Sequence, residues 1–348
     1  MPPSAPLRIL VVDGNRVSFG ASFARAFNAL GQEVHSLDNS AWLGGSNQAL
    51  HARVARRLVR PLALPAYNAY VLAQVARLRP DLLFIPKGVG IWSGTIAAAR
   101  RVARACVLFQ NDDVKNPAST TPDMRRALPL WDVVFTPRHF SVDELLAAGA
   151  RRVECLRYAY DPFLSYPPTA AERDTTLSNS AVFVGTCMPD RVAPLEALAR
   201  RVPVAVFGQR WRVSDGSPLR SALRPAVFED RLRAIIAGAG VNIELVAKAN
   251  RDQHNMRTFE IPACGGFMLG QRTADHQDIF REDEEAAFFG SEEELVAKAL
   301  SYLSDPSRRQ RVAKAGHLRV AGRERYEDRA ARVLEVVREV LKARTTRS

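Results

Sequence analysis

The 348-residue sequence is short of several things. It has four cysteines, six histidines and five methionines. Cys106, Cys155, Cys187 and Cys264 stand far apart and form neither a CxxC pair nor a zinc spacing. Buried reduced thiols are therefore expected, not a disulfide framework or a metal knot. HExxH and HxH do not occur, and no metal site is expected. No stretch approaches 18 uninterrupted apolar residues, which excludes a membrane-spanning helix. The run from Met1 to Val12 has no basic n-region, and its apolar part is too short for a secretory h-region. A cytoplasmic protein is the expectation. Acidic residues are also in deficit: 37 Asp and Glu face 49 Lys and Arg, a net charge of +12. A basic protein of this kind often meets something acidic, and composition alone does not say what.

What is present is ordinary for a globular chain, with 47% apolar and 25% charged residues. That excludes a disordered or low-complexity protein, and the length fits two domains. Short apolar runs alternate with helical periodicity. Leu7–Val12, Glu33–Leu37, Asp81–Pro86, Ala105–Gln110, Asp132–Thr136 and Val153–Leu156 read as strands. Helices are expected at Ser22–Leu30, Gly94–Arg104 and Ser141–Ala148. A Pro-rich polar stretch, Asp161–Asn179, reads as an interdomain linker. The pattern then restarts. Strands are expected at Ala181–Val184, Val204–Phe207, Val241–Leu245 and Phe267–Leu269. Helices are expected at Pro194–Arg201, Glu229–Ala237, Met256–Cys264 and Glu292–Leu303. After Pro306 almost everything reads as helix. Two α/β halves with parallel sheets follow, with a ligand cleft between them.

Three segments carry chemistry. Asp13-Gly14-Asn15-Arg16 ends the first strand, where open α/β sheets bind ligands, but it is not GxGxxG; a structural turn is the competing reading. Asp112 and Asp113, in the run QNDD, place two carboxylates at another strand end. They suit a general base or acceptor hydroxyls, or else turn capping. The richest run is NIELVAKANRDQHNMRTFEIPACGGFML, from Asn242 to Leu269. In it Glu260 lies on a helix opening by a strand end, where its two oxygens match a ribose diol. Gly265 and Gly266 allow a close backbone approach or a sharp turn into the next strand.

This run resembles the C-terminal module of GT-B glycosyltransferases, specifically the CgeB-like (spore-maturation protein) family of group 1 glycosyl transferases. The resemblance extends to VFVGT, with Gly185 and Thr186, and to VFGQRW, with Gly208 and Arg210. It also takes in EEELVAKALSYLSDPSRRQRVAKAG and, in the first half, FQNDD and LPLWDVVFTPRHFSVDELLAAGARRVECLRYAYDP. It implies a GT-B fold: two Rossmann-like domains facing each other across a cleft, with C-terminal helices. The expected division is 1–165 for the acceptor side, 180–325 for the donor side and 326–348 for a C-terminal basic helix. Related retaining enzymes hold the donor with two Glu separated by seven residues. Glu260 matches the second, which binds ribose; Asp252 stands in place of the first. Such enzymes also grip the diphosphate with an Arg and a Lys after the first donor strand. Here those positions are Thr186 and Arg191, leaving Arg210 or Arg257 to supply the missing cation.

The resemblance thus implies a glycosyltransferase that moves a sugar from a nucleotide-diphosphate sugar to an acceptor, with no metal or other cofactor. Fixed cations and helix N-termini would stabilise the leaving diphosphate. Asp13, Asp112, Asp113 and Asp252 are the candidates for acceptor activation or contact with the reacting sugar. A non-catalytic nucleotide-sugar or partner-binding module on the same scaffold is the alternative, and a GT-B-fold epimerase a third reading.

The basic residues cluster. Residues 307–348 hold 13 Lys or Arg and 5 acids, and Asn39–Pro80 holds six Arg and no acid. HARVARRLVRPL (51–62) would put Arg53, Arg56, Arg57 and Arg60 around an apolar stripe. One reading is peripheral contact with an anionic inner-membrane face or an acidic glycan; the other is a solvated helix. Nucleic acid is not expected, because few aromatics interleave the basic stretches.

Overall fold

The computed structural model describes residues 5–13, 18–43, 50–117 and 119–346; the side chains of 41, 43 and 50–62 are not described. The chain divides into two compact units. One comprises Met1–Arg157 with Tyr326–Ser348, the other Tyr158–Arg325.

The first unit runs β1 (Arg8–Asp13), α1 (Phe19–Ala29), β2 (Glu33–Asp38), α2 (Ser40–Leu43), α3 (Leu50–Leu78), β3 (Leu82–Pro86), α4 (Ser93–Ala99), β4 (Ala105–Phe109), α5 (Pro122–Ala127), β5 (Val133–Thr136), α6 (Ser141–Ala147) and β6 (Val153–Cys155). All its pairings are parallel, in the order β2-β1-β3-β4-β5-β6. The runs LLFIP, ACVLF and VVFT are buried at every position, as expected for inner strands covered by helices on both faces. Phe23 and Phe27 of α1 meet Phe84 of β3 with ring centroids 4.7 and 5.5 Å apart.

The second unit runs β7 (Ala181–Val184), α7 (Pro189–Ala199), β8 (Val204–Phe207), β9 (Leu223–Arg224), α8 (Glu229–Gly238), β10 (Val241–Glu244), α9 (Met256–Ala263), β11 (Met268–Gln271), α10 (Ala274–Ile279), β12 (Ala287–Phe289), α11 (Glu292–Ser304) and α12 (Pro306–Val320). Its strands lie in the order β12-β11-β10-β7-β8-β9. Counted within the unit this is 6-5-4-1-2-3, the Rossmann order, with its switch point between β7 and β10.

The last helix, α13 (Tyr326–Thr345), belongs to the first unit. Ala330, Val333, Leu334, Val337 and Leu341 form its buried stripe, and it packs on α1. Tyr326 stands edge-on to Phe23 at 5.1 Å. Arg332 reaches Glu154 at 3.0 Å and Arg344 reaches Asp132 at 2.6 Å. The segment expected to stand apart as a basic helix is thus a packed layer of the first unit.

Two further expectations are corrected. The Pro-rich stretch at Asp161–Asn179 is not a free connector but clusters with the second unit. It carries a capping box between Thr169 and Glu172, and Asp174 pairs with Arg231 at 2.8 Å and donates its N–H to the Ala234 carbonyl at 3.0 Å. Helix α7 begins at Pro189, not at Pro194, because a proline at the first helical position surrenders no bond, and the interior Pro194 is tolerated at the loss of one. Residues Gly14, Asn15 and Arg16 lie outside the described residues. So do the side chains of the basic stretch 51–62, whose backbone is helical. Among the described residues no helix is long and apolar enough to cross a membrane.

Candidate functional site

In the second unit, β7 and β10 pair directly (Val241 to Ala181, Asn242 to Val182, Ile243 to Phe183). From β7 the chain leaves to β8 on one side; from β10 it leaves to β11 on the other. The loops Gly185–Met188 and Leu245–Asn255 therefore splay apart at the carboxyl edge, which is where open sheets take ligands.

Arg191, in the first turn of α7, lies beneath these loops and is 9% exposed. Its Nη1 donates to the Thr186 carbonyl at 2.9 Å and its Nη2 to the Leu245 carbonyl at 3.2 Å. One guanidinium thus braces both walls of the crevice, 5.4 Å from the Phe183 ring centroid. Burial lowers its pKa, while Asp190, Glu244 and Asp252 nearby raise it; a guanidinium so placed stays charged. Asp252 follows a 3-10 turn that ends in left-handed Arg251 (φ 50°), and it is 8% exposed. The sequence-predicted Asp252 and Arg191 therefore share one crevice.

Helix α9 opens at the same edge. Asn255 caps it: its Oδ1 accepts the Arg257 N–H at 2.7 Å, and the Thr258 hydroxyl accepts the Asn255 N–H at 3.1 Å. Arg257 then points back to β7, its Nε 3.4 Å from the Val184 carbonyl, and its guanidinium pairs with Glu260 one turn on. Burial pulls the Arg257 pKa down to about 10, which leaves it cationic at neutral pH. A ribose ligand and a cation, expected separately from sequence, here form one pair at the switch point.

Gly185 and Gly208 serve close approach. A Cβ on Gly208 would overlap the Gly185 carbonyl oxygen, and one on Gly185 would press the Phe183 ring. The Trp211 indole donates to the same Gly185 carbonyl at 3.0 Å. Thr186 and Arg210 are exposed on the loops that follow β7 and β8, and Arg210 has φ 62°.

Gly265 and Gly266 require correction as ligand-facing glycines. They lie after α9 and before β11, at the amino edge of the sheet, a full eight-residue helix (about 12 Å) from the crevice. Gly265 takes φ +76° to end the helix, and a Cβ on Gly266 would strike Ile236 and Asn242. Their role is in packing.

In the first unit, Asp13, Asp112 and Asp113 do reach the carboxyl edge, but the structure gives each a capping or pairing partner. Asp13 Oδ2 accepts the Gly20 N–H as α1 begins. Asp112 stands 3.5 Å from Lys87 Nζ. Asp113, 2% exposed, accepts the Lys115 N–H at 2.8 Å. With β3 between β1 and β4, Asp13 is roughly 10 Å from the other two by strand spacing. Asp13 and Asp113 are thus tied to the backbone and Asp112 to a lysine.

Sequence reasoning missed Glu244, which ends β10 and is 1% exposed. Its Oε1 accepts from Asn255 Nδ2 at 2.5 Å, and its Oε2 lies 3.6 Å from Nε2 of the wholly buried His276. The signal was available as an acid at the carboxyl end of the short strand VNIE. Among the described residues no group of three His, Cys, Asp or Glu could hold a metal ion.

Two Rossmann-type units, each with a parallel six-stranded sheet, define a GT-B protein, and known structures bear this out. A sucrose-phosphate synthase from Thermosynechococcus elongatus superposes with a TM-score of 0.68 at 12% identity, covering 97% of this chain and 100% of its own. HepE from Anabaena, in complex with UDP-glucose, gives 0.64 at 14% identity, covering 96% and 100%. A putative UDP-N-acetylglucosamine 2-epimerase from Listeria monocytogenes gives 0.58 at 12%, covering 97% and 98%. These likenesses establish the GT-B fold. Residues 191–335, which hold the second-unit crevice from Arg191 onward, match the model of a family described as glycosyl transferase-like. No curated protein sequence matches the chain.

Proposed function

We propose that the protein is a metal-independent glycosyltransferase that uses a nucleotide-diphosphate sugar, with the donor held in the second unit at the carboxyl ends of β7 and β10. The CgeB-like group is the branch to which its motif run points. One observation carries the reading: Arg257 bridges the end of β7 and Glu260 at the Rossmann switch point. A nucleotide diphosphate offers partners to both members of that pair. Its ribose diol takes the Glu260 carboxylate, and its phosphates take the guanidinium, which can grip them in bidentate fashion.

In the transfer, the bond from the anomeric carbon to the diphosphate oxygen breaks and the acceptor oxygen bonds to that carbon. The acceptor proton is carried away by the leaving phosphate or by a carboxylate. Negative charge builds on the diphosphate, and the cations and the N-termini of α7 and α9 face it. The match of residues 191–335 to a glycosyl transferase-like family supports transfer over mere binding. The fold by itself does not separate a transferase from an epimerase, since a putative epimerase shares it.

Calorimetry with UDP, GDP, ADP and dTDP tests the reading. One of these should bind, and Glu260→Ala should weaken it at least about tenfold, the worth of a single charge-assisted hydrogen bond. Equal binding by Glu260→Ala would refute the site, and no binding by the wild type would refute the reading. Release of free sugar or transfer from the matching nucleotide sugar separates an enzyme from a binding module.

A further inference from the structure

The loop between β10 and α9 ends in Gln253-His254-Asn255, and the proposed donor contacts leave His254 unused. Its side chain is buried, with the ring edge-on to Tyr158 (5.5 Å, 69°) and to Phe259 of α9 (5.8 Å, 84°). Nδ1 lies 2.7 Å from Asp275 Oδ2, and Nε2 accepts the Tyr158 N–H at 3.3 Å. A ring nitrogen that accepts a backbone N–H carries no proton, so Nδ1 carries it and donates to the Asp275 carboxylate. Nε2 is thereby closed to a substrate, and the His254–Asp275 pair is not a general base.

The pair belongs to a larger clasp. The Thr273 hydroxyl donates to the Gln253 carbonyl, and the Ala274 N–H donates to the Gln253 side chain at 3.3 Å. Thr273, Ala274 and Asp275, consecutive at the start of α10, thus hold two consecutive residues of the loop. On the other side of the ring stands Tyr158, the first residue of the second unit. That segment is itself anchored, since Tyr160 donates its N–H to the Glu324 carbonyl at 3.0 Å. An apolar side chain would fill the same space without the desolvation of a buried His–Asp pair. The two bonds add what packing does not, a fixed direction for the ring and for the backbone that bears it. Asp252 lies two residues before His254. Asn255, the cap of α9, follows it and sets the turn that presents Arg257 and Glu260.

We propose that His254 is a positioning residue of the donor site: pinned by Asp275 and by the Tyr158 amide, it holds the loop from Asp252 to Asn255 in the arrangement that the nucleotide requires. The inference rests on the donor-site reading above. The Asp275 bond is the stronger anchor, being short and made to a carboxylate, whereas the Tyr158 bond is long and neutral. Its loss should shift the loop equilibrium about tenfold or more, and apparent affinity falls with the fraction of loop held in place.

The test uses the full chain as wild type, His254→Asn, His254→Gln and His254→Ala. The Asn amide N–H stands near the place of Nδ1 and keeps the Asp275 bond alone. The longer Gln reaches the place of Nε2 and keeps the Tyr158 bond alone. The first readout needs no ligand: amide hydrogen exchange at Asp252 and Asn255, relative to β10 amides, which report that the unit is folded. Exchange should be fast in the Gln and Ala variants and close to wild type in the Asn variant. The second is calorimetry with whichever of UDP, GDP, ADP or dTDP the wild type binds. His254→Ala and His254→Gln should lose affinity about tenfold, and His254→Asn should keep most of it. Packing alone ranks the variants the other way, because Gln fills more of the space than Asn. Exchange and affinity in His254→Gln as good as in His254→Asn, or in His254→Ala as good as in the wild type, overturn the proposal. Exchange that ranks as expected while no nucleotide binds the wild type overturns the donor reading alone and leaves the positioning of the loop standing.

Discussion

Arg191 decides between two physical pictures of the crevice. In one it is a brace that ties two loops together; in the other it is a cation waiting for phosphate. The substitution Arg191→Met keeps much of the apolar stem and removes the guanidinium. Two carbonyls, Thr186 and Leu245, then lose donors at 2.9 and 3.2 Å. Hydrogen bonds from a charged donor contribute about 1.5–3 kcal/mol each. Methionine escapes the desolvation that the buried guanidinium incurs, which returns several kcal/mol. Glu244 and Asp252 both lose the nearby counter-charge. We expect a net destabilisation of about 3 kcal/mol. For a unit of this size that lowers the unfolding midpoint by roughly 6–12 °C. Trp211 is the only tryptophan of the second unit, and its indole holds the Gly185 carbonyl in one of the braced loops. Fluorine NMR of protein labelled with 5-fluorotryptophan therefore follows this unit apart from the other. An unchanged Trp211 transition together with lost nucleotide affinity would refute the brace and make Arg191 a phosphate ligand. A second consequence is linked: without the Arg191 charge, the Glu244 pKa should rise further.

Two other outcomes follow from the same geometry. Gly208→Ala forces its new methyl into the Gly185 carbonyl, and should destabilise the second unit by about 1–3 kcal/mol in denaturant titrations and weaken nucleotide binding. The matching change at the far edge, Gly265→Ala, should cost stability through its φ of +76° yet leave affinity alone. Burial pushes Cys106 and Cys264 up to about 12, so a thiol reagent at mildly alkaline pH should modify half-buried Cys155 and Cys187 first and reach the other two only on unfolding.

The sheets were legible because apolar runs such as LLFIP and AVFV have no other stable home than a covered strand. Helix α9 was legible as the run Met256–Cys264, whereas its Asn255 cap emerged only in the structure. The linker was not, since proline and polar residues mark irregular backbone without saying whether it packs; only Asp174 against α8 shows that this stretch does. The start of α7 was hidden by two prolines five residues apart. The glycine pair stayed open between close approach and a sharp turn for a geometric reason: a parallel sheet needs glycine at both edges, to end helices at one and to admit close loops at the other. Nothing in the local sequence states which edge a given glycine occupies. Carboxylates at strand ends have the same ambiguity, and Asp13 and Asp113 resolve as caps.

The net charge shows how far composition falls short of a surface. The C-terminal run supplies most of the positive excess, yet many of its cations are already engaged. Arg309 donates to the Tyr302 carbonyl, Arg319 to the Ile279 carbonyl and Arg329 to the Arg157 carbonyl. Arg332 and Arg344 pair with Glu154 and Asp132. Arginine is suited to this work, because its fork closes helix ends and strand ends that would otherwise leave bare carbonyls. The two cations that matter most to the proposed chemistry, Arg191 and Arg257, are also bonded to backbone carbonyls. Part of the +12 therefore satisfies carbonyls and carboxylates within the fold. Binding of an acidic partner has to be argued from the cations that remain exposed, and in the proposed donor crevice Arg257 with Glu260 is a pair that a nucleotide can open.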